Sequence, residues 1–117
     1  MGKRISRDYV ETQVQVYQEL LGLDKWTIKI KYAGVEESNE AEVESDPDYY
    51  KATVRINLDE VTTKKALTRT IVHELIHTVL SPYTQMSREL VPRRQRKMLK
   101  RLEERLVSDI ERWPLWE

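Results

Sequence analysis

The chain has 117 residues and a mass of 14.0 kDa, which allows one domain with one modest core and not two. Twenty Lys and Arg residues balance twenty Asp and Glu, so bulk charge selects neither nucleic acid nor a membrane surface as partner. The absence of cysteine excludes disulfides, thiolate metal sites and cysteine nucleophiles, and accords with an intracellular protein.

Along the chain, Val10, Val14, Tyr17 and Leu21 recur at helical spacing behind Ser6 and ahead of Gly22, so residues 7–21 are expected to form an amphipathic helix. "WTIKIKY" (26–32) alternates apolar and polar residues, as a half-buried strand does. "AEVE" (41–44) alternates again, and after the turn residues "SDPD" the run "YKATVRINLD" puts Ala52, Val54, Ile56 and Leu58 on one face. A hairpin over 41–58 follows, giving a three-stranded and mostly antiparallel sheet. From Thr63 the period turns helical, with Leu67, Ile71, Leu75 and Val79 in one stripe widened by Val72 and Ile76. "SPY" (81–83) is expected to stop this helix. In "RRQRKMLKRLEERLVSDIERW" (93–113), Leu99, Leu102, Leu106, Ile110 and Trp113 define a last helix with a heptad-like seam, ended by Pro114. The fold class is therefore α+β, and residues 1–117 read as a single domain.

The chemistry is concentrated in "TRTIVHELIHTVLSPY", residues 68–83, which holds both histidines of the chain, His73 and His77. With Glu74 between them they match H-E-x-x-H in mid-helix, the context that motif requires. Four residues are one turn plus about 40°, so both imidazoles leave the same face and can share one ion. Accident would give this arrangement of two histidines and a glutamate in roughly two chains of this composition per thousand. Neutral imidazole nitrogen suits Zn2+, one ion is expected, and a catalytic zinc keeps three protein ligands and one position for water. Glu74, beside the first ligand, would act on that water as general base.

The motif, on the second-last helix after a three-stranded sheet, resembles the zincin metallopeptidases. More narrowly the chain is similar to the gluzincin-like minigluzincins and to short metallopeptidase-like proteins of phages and bacteria. "WTIKIKY", "ATVRINLD", "HELIHTVLSPY" and "EERLVSDIERW" carry the likeness, with H-E-x-x-H its one specific element. The resemblance implies a zinc-dependent peptidase whose sheet offers an edge strand, from the 41–58 hairpin, to an extended substrate. The glycine and third histidine found downstream in metzincins are absent, so a carboxylate is expected as third ligand, as in gluzincins, where a glutamate on a following helix completes the site. Glu103 falls inside the leucine seam and is preferred, with Glu104 as the alternative. Asp109 is a candidate to accept the second ring proton of a histidine, against the plain reading of an exposed helix acid. Tyr83 can polarise a scissile carbonyl or steady an oxyanion, against a packing role. Trp26, Trp113 and Trp116 read as core or lid residues.

Two segments are strongly charged. Residues 36–48 carry seven acids and no base, and residues 88–101 carry seven bases against Glu89. Both read first as solvated faces that partly neutralise one another. The basic run has an analogy in SprT-type metalloproteases, which act near DNA, but it lacks interleaved aromatics, and nucleic acid is not expected as partner. A peptide or protein substrate, a monomer, no membrane association and a cytoplasmic location are expected; no run approaches the ~18 apolar residues of a span, and the N-terminus has no signal-peptide pattern. The rival readings are a metal-binding regulator of phage or mobile-element type that acts on one partner, a non-catalytic interaction domain stapled by zinc, and a nucleic-acid module using the basic helix.

Overall fold

The computed structural model describes residues 5–32, 39–61 and 63–112. Trp113, Pro114, Trp116 and the acids at 36 and 37 lie outside these residues. Helix α1 spans Arg7–Leu20, strands β1, β2 and β3 span Thr27–Lys31, Ala41–Asp46 and Lys51–Ile56, and helices α2 and α3 span Lys64–Leu90 and Arg96–Glu111, with a single 3-10 turn at Arg93–Gln95.

Helix α1 begins where the Ser6 hydroxyl accepts the Tyr9 N–H at 3.1 Å, and it ends before Gly22, whose φ of +73° suits glycine. Beyond that stop, the Gln18 side chain donates to the carbonyls of Leu23 (3.0 Å) and Trp26 (2.8 Å), tying the helix exit to the entrance of β1. Val10 and Val14 face inward from the helix.

The sheet has spatial order β1-β3-β2, and it corrects the expectation of a mostly antiparallel sheet. The β2–β3 hairpin is antiparallel, with Val43 opposite Val54, but β1 joins β3 in parallel, with Ile28 opposite Ala52 and Ile30 opposite Val54. Alternation of apolar residues tells which face a strand buries and is silent on its partner and direction. The hairpin occupies one edge of β3, and β1 takes the other in a register opened by the Thr27 N–H on the Tyr50 carbonyl at 2.8 Å. This makes β2 an edge strand.

Helix α2 is the axis of the molecule. Its Leu67, Ile71 and Leu75 are buried in the main core with Val10, Val14, Leu23, Trp26, Val61 and the inner face of β3, namely Ala52, Val54 and Ile56. A smaller core on another side of α2 joins Val72 and Ile76 to Val107 of α3.

The expected stop at "SPY" does not occur. Helix α2 runs through Pro82 to Leu90. Proline at 82 removes the N–H that would bond the Thr78 carbonyl, and the Ser81 hydroxyl donates to that same carbonyl at 2.7 Å. The residue before the proline thus supplies the missing donor, and the helix gains more than two further turns.

The leucine seam of the last helix is also corrected. Leu102 and Leu106 are 55% and 46% exposed, while Val107 is fully buried with Ile110 packed beside it. On a wheel of 100° per residue, the face that meets α2 is centred near Val107 and is turned by roughly 100° from the centre of the leucine stripe. That rotation brings Glu103, Glu104 and Glu111 toward the two histidines.

Candidate metal centre

His73 and His77 leave α2 between two neighbours, β2 and α3. Strand β2 lies over the stripe Thr70, Glu74 and Thr78, which are four residues apart. It is held at one end by the Thr70 hydroxyl donating to a Glu40 carboxylate oxygen at 2.7 Å, and at the other by the Ser45–Thr78 hydroxyl pair at 3.1 Å. Glu74 sits between these ties and is 8% exposed.

Helix α3 approaches from the opposite side with three carboxylates. Glu104 lies 3.2 Å from His77 Nε2 and 3.7 Å from His73 Nε2. Glu103 lies 3.2 Å from His77 Nδ1, and Glu111 lies 3.3 Å from His73 Nδ1. The two rings sit 5.1 Å apart, centroid to centroid. Each imidazole thus presents Nε2 to a shared carboxylate and Nδ1 to a carboxylate of its own.

That pattern is compatible with a bound divalent ion. An imidazole ligates through one nitrogen and hands the proton on the other to an acceptor, which fixes tautomer and ring orientation. Among the described residues, His73, His77 and Glu104 form a group with one donor atom from each within 4.8 Å of the others, and such a group can hold a metal ion. Two imidazole nitrogens and a carboxylate oxygen are a donor set that zinc accepts.

Of the two glutamates expected as third ligand, the geometry sets Glu104, the alternative, beside both Nε2 atoms and Glu103 beside Nδ1 of His77. Glu103 touches the outer nitrogen of His77 and also accepts from the Thr84 hydroxyl at 3.2 Å, so it braces His77 from behind. Glu103 lies on the inner side of α3, as its place on the helical wheel predicts, and its side chain is only 14% exposed. Burial, however, does not decide which nitrogen a carboxylate meets. Glu111 was not singled out from the sequence. Its signal was the separation of seven residues from Glu104, two helical turns on one face with Val107 between them. Asp109 is exposed and projects about 160° round the helix from Glu111, away from both histidines. Tyr83 is 65% exposed on the continued helix and lies outside the lining of the cleft into which the site opens.

The site opens into a cleft of about 800 Å3 lined by Val43 and Ser45 of β2, by His73, Glu74 and His77, and by Glu103 and Glu104 across from them. Burial pushes the Glu74 carboxyl above its ordinary range, and the adjacent His77 and His73 draw it back only in part. The outer edge of β2 carries no strand among the described residues, so its backbone groups on that side are open to pairing. No described helix is long and apolar enough to cross a membrane.

The chain matches no protein-family model, no curated protein and no solved structure.

Proposed function

We propose that this chain is a zinc-dependent peptidase of the H-E-x-x-H type, with a small zincin-like fold. The observation that carries the reading is the approach of both Nε2 atoms to the Glu104 carboxylate, with Nδ1 of His77 hydrogen-bonded to Glu103 and Nδ1 of His73 lying 3.3 Å from Glu111. Such bracing prepares two neutral imidazoles as ligands and leaves Glu74, the next residue, outside the ligand set.

His73, His77 and Glu104 would hold the ion. When bound, it supplies Lewis acidity, which lowers the pKa of a water and polarises a carbonyl group. Glu74 then has two tasks. It accepts a proton as water adds to the carbonyl carbon, and it returns that proton to the departing amine nitrogen. A buried carboxylate with a raised affinity for protons suits both, because the proton has to be held between the two events. The open edge of β2 can bind an extended substrate through backbone hydrogen bonds, and the Thr70 and Ser45 ties keep that edge above Glu74.

Zinc as a closed structural staple would require a fourth protein donor. Among the described residues three donors converge, which supports the open, catalytic arrangement.

The test compares casein hydrolysis by zinc-loaded wild type and Glu74→Gln. The variant is expected to keep one zinc per chain and to lose at least ~10²-fold in rate. Retained hydrolysis removes Glu74 as the base, and absence of hydrolysis by the loaded wild type removes the peptidase reading.

A further inference from the structure

The cleft is not uniform in charge along its length. The wall away from His73 is built by the late turns of α2 and the early turns of α3, and it carries Arg88 and Lys100. His77, Ser81, Thr84 and Arg88 follow one another at helical spacing, which puts Arg88 on the cleft side about 16 Å along the axis from His77. Lys100 precedes Glu104 by one turn, about 6 Å. Glu103 meets both His77 and Thr84 while Glu111 meets His73, so α3 runs antiparallel to α2 here. One turn before Glu103, Lys100 therefore stands across from the Thr84–Arg88 stretch, at the same end of the cleft as Arg88.

The carboxylates within a turn of Lys100 toward the site are Glu103, committed to His77 and Thr84, and Glu104, committed to the two Nε2 atoms. Among the described residues neither Arg88 nor Lys100 forms an ion pair. At the other end, the recess beside His73 is lined by Glu40 and Glu111 together with Arg69, with Glu40 held by the Thr70 hydroxyl and Glu111 beside His73 Nδ1.

We propose that Arg88 and Lys100 form a carboxylate-binding subsite of the cleft. The preferred substrate is then a peptide that presents an acidic side chain, or its own C-terminal carboxylate, roughly two to five residues from the bond that is cut, as the 6 and 16 Å offsets require of an extended chain. The guanidinium of Arg88 offers a fork that matches a carboxylate, and Lys100 adds a mobile second charge. This inference rests on the peptidase reading for its meaning, but it is tested by binding.

The probe is fluorescence anisotropy with zinc-loaded Glu74→Gln protein and three labelled, N-acetylated peptides of one scaffold. The first carries glutamates flanking the centre and an amidated C-terminus. The second has glutamine for each glutamate and a free C-terminal carboxylate, and the third has glutamine and an amide. The first or the second is expected to bind about fivefold tighter than the third, the size two solvent-exposed charge pairs supply. Which of them gains distinguishes a side-chain source of the carboxylate from a terminal one. The advantage is expected to vanish when Arg88→Gln and Lys100→Gln are added, with zinc content confirming the fold; the single variants serve if the pair lowers it. Equal binding of all three peptides, or an advantage that survives both substitutions, overturns the proposal. So does displacement of every peptide by a single-stranded oligonucleotide that itself depends on Arg88 and Lys100. If wild type cuts no peptide although the binding preference holds, the peptidase reading fails and the subsite stands. If wild type cuts all three peptides without preference, the subsite alone fails.

Discussion

Glu103 and Glu104 are neighbours in sequence that reach different nitrogens of His77, Nδ1 and Nε2, and the proposed reading gives them different tasks on that ground. On the proposed reading Glu104→Ala removes a ligand, and it is expected to abolish stoichiometric zinc binding. Glu103→Ala and Glu111→Ala release a ring from its brace and are expected to weaken zinc about 10- to 100-fold without abolishing it, as competition with a chromogenic chelator will read. Loss of zinc only in the Glu103 variant would falsify this division. Glu74 allows a second test at this scale, in the metal-free protein. Burial raises its carboxyl in the folded state, so ionising it costs the fold. That penalty is absent below the ordinary carboxyl range and grows as pH rises through it. Metal-free Glu74→Gln is therefore expected to melt above metal-free wild type at about pH 7.5, and the gap to close toward about pH 4. A gap that is absent at neutral pH contradicts the burial argument. His73, Glu74 and His77 were legible in the sequence because their spacing alone decides which way they project. The roles of Glu103 and Glu111 were not, because they depend on how far α3 is rotated against α2.

That rotation belongs to the scale of the element. Leu99, Leu102 and Leu106 suggested a seam, yet the inward face centres on Val107 and carries acids. Periodicity finds the most apolar stripe of a helix, and here the carboxylates meet the histidines in place of that stripe meeting a core. Val107→Ala is accordingly expected to destabilise the protein by roughly 1.5–3 kcal/mol, the burial energy of such a side chain, while Leu102→Gln stays within about 0.5 kcal/mol. Urea denaturation distinguishes the two, and equal losses contradict the rotation. The passage of α2 through Pro82 has a similarly local cause. Ser81→Ala should cost about 1 kcal/mol, because the Thr78 carbonyl then loses the hydroxyl that replaces the missing N–H. In a Pro82→Ala background, where the backbone N–H is restored, the same substitution should cost almost nothing. A double-mutant cycle that shows no coupling removes this account of the continued helix. Proline remains a sound stop signal in general; what the sequence did not advertise is that a serine just before it can take over the lost bond.

At the scale of the whole molecule, the α+β class and the order of three helices and three strands followed from hydrophobic period, since both periods are long and clean in this chain. The direction of β1 did not follow, since a strand of five residues with one half-buried face can pair either way. The assembled fold has a large core of α1, sheet and α2, to which α3 is attached by a small cluster and by the carboxylate–histidine contacts. A metal held by both helices would therefore tie the weakly anchored element to the strongly anchored one. Zinc at about one hundred times its dissociation constant is expected to add about 2.7 kcal/mol, raising Tm on the order of 10 °C, and to slow hydrogen exchange in α3 most. His77→Ala should show neither effect. An equal rise in that variant would mean that zinc binds elsewhere.

The central claim concerns one point in space, the place where His73 Nε2, His77 Nε2 and the Glu104 carboxylate meet. Crystals of the wild-type protein grown with equimolar zinc, measured on both sides of the zinc absorption edge, locate the ion directly. The account predicts a single anomalous peak at about 2.0–2.2 Å from those three donors, with Glu103 and Glu111 still on the Nδ1 atoms. A peak bonded to Glu103 in place of Glu104, or no peak near either histidine, would contradict it.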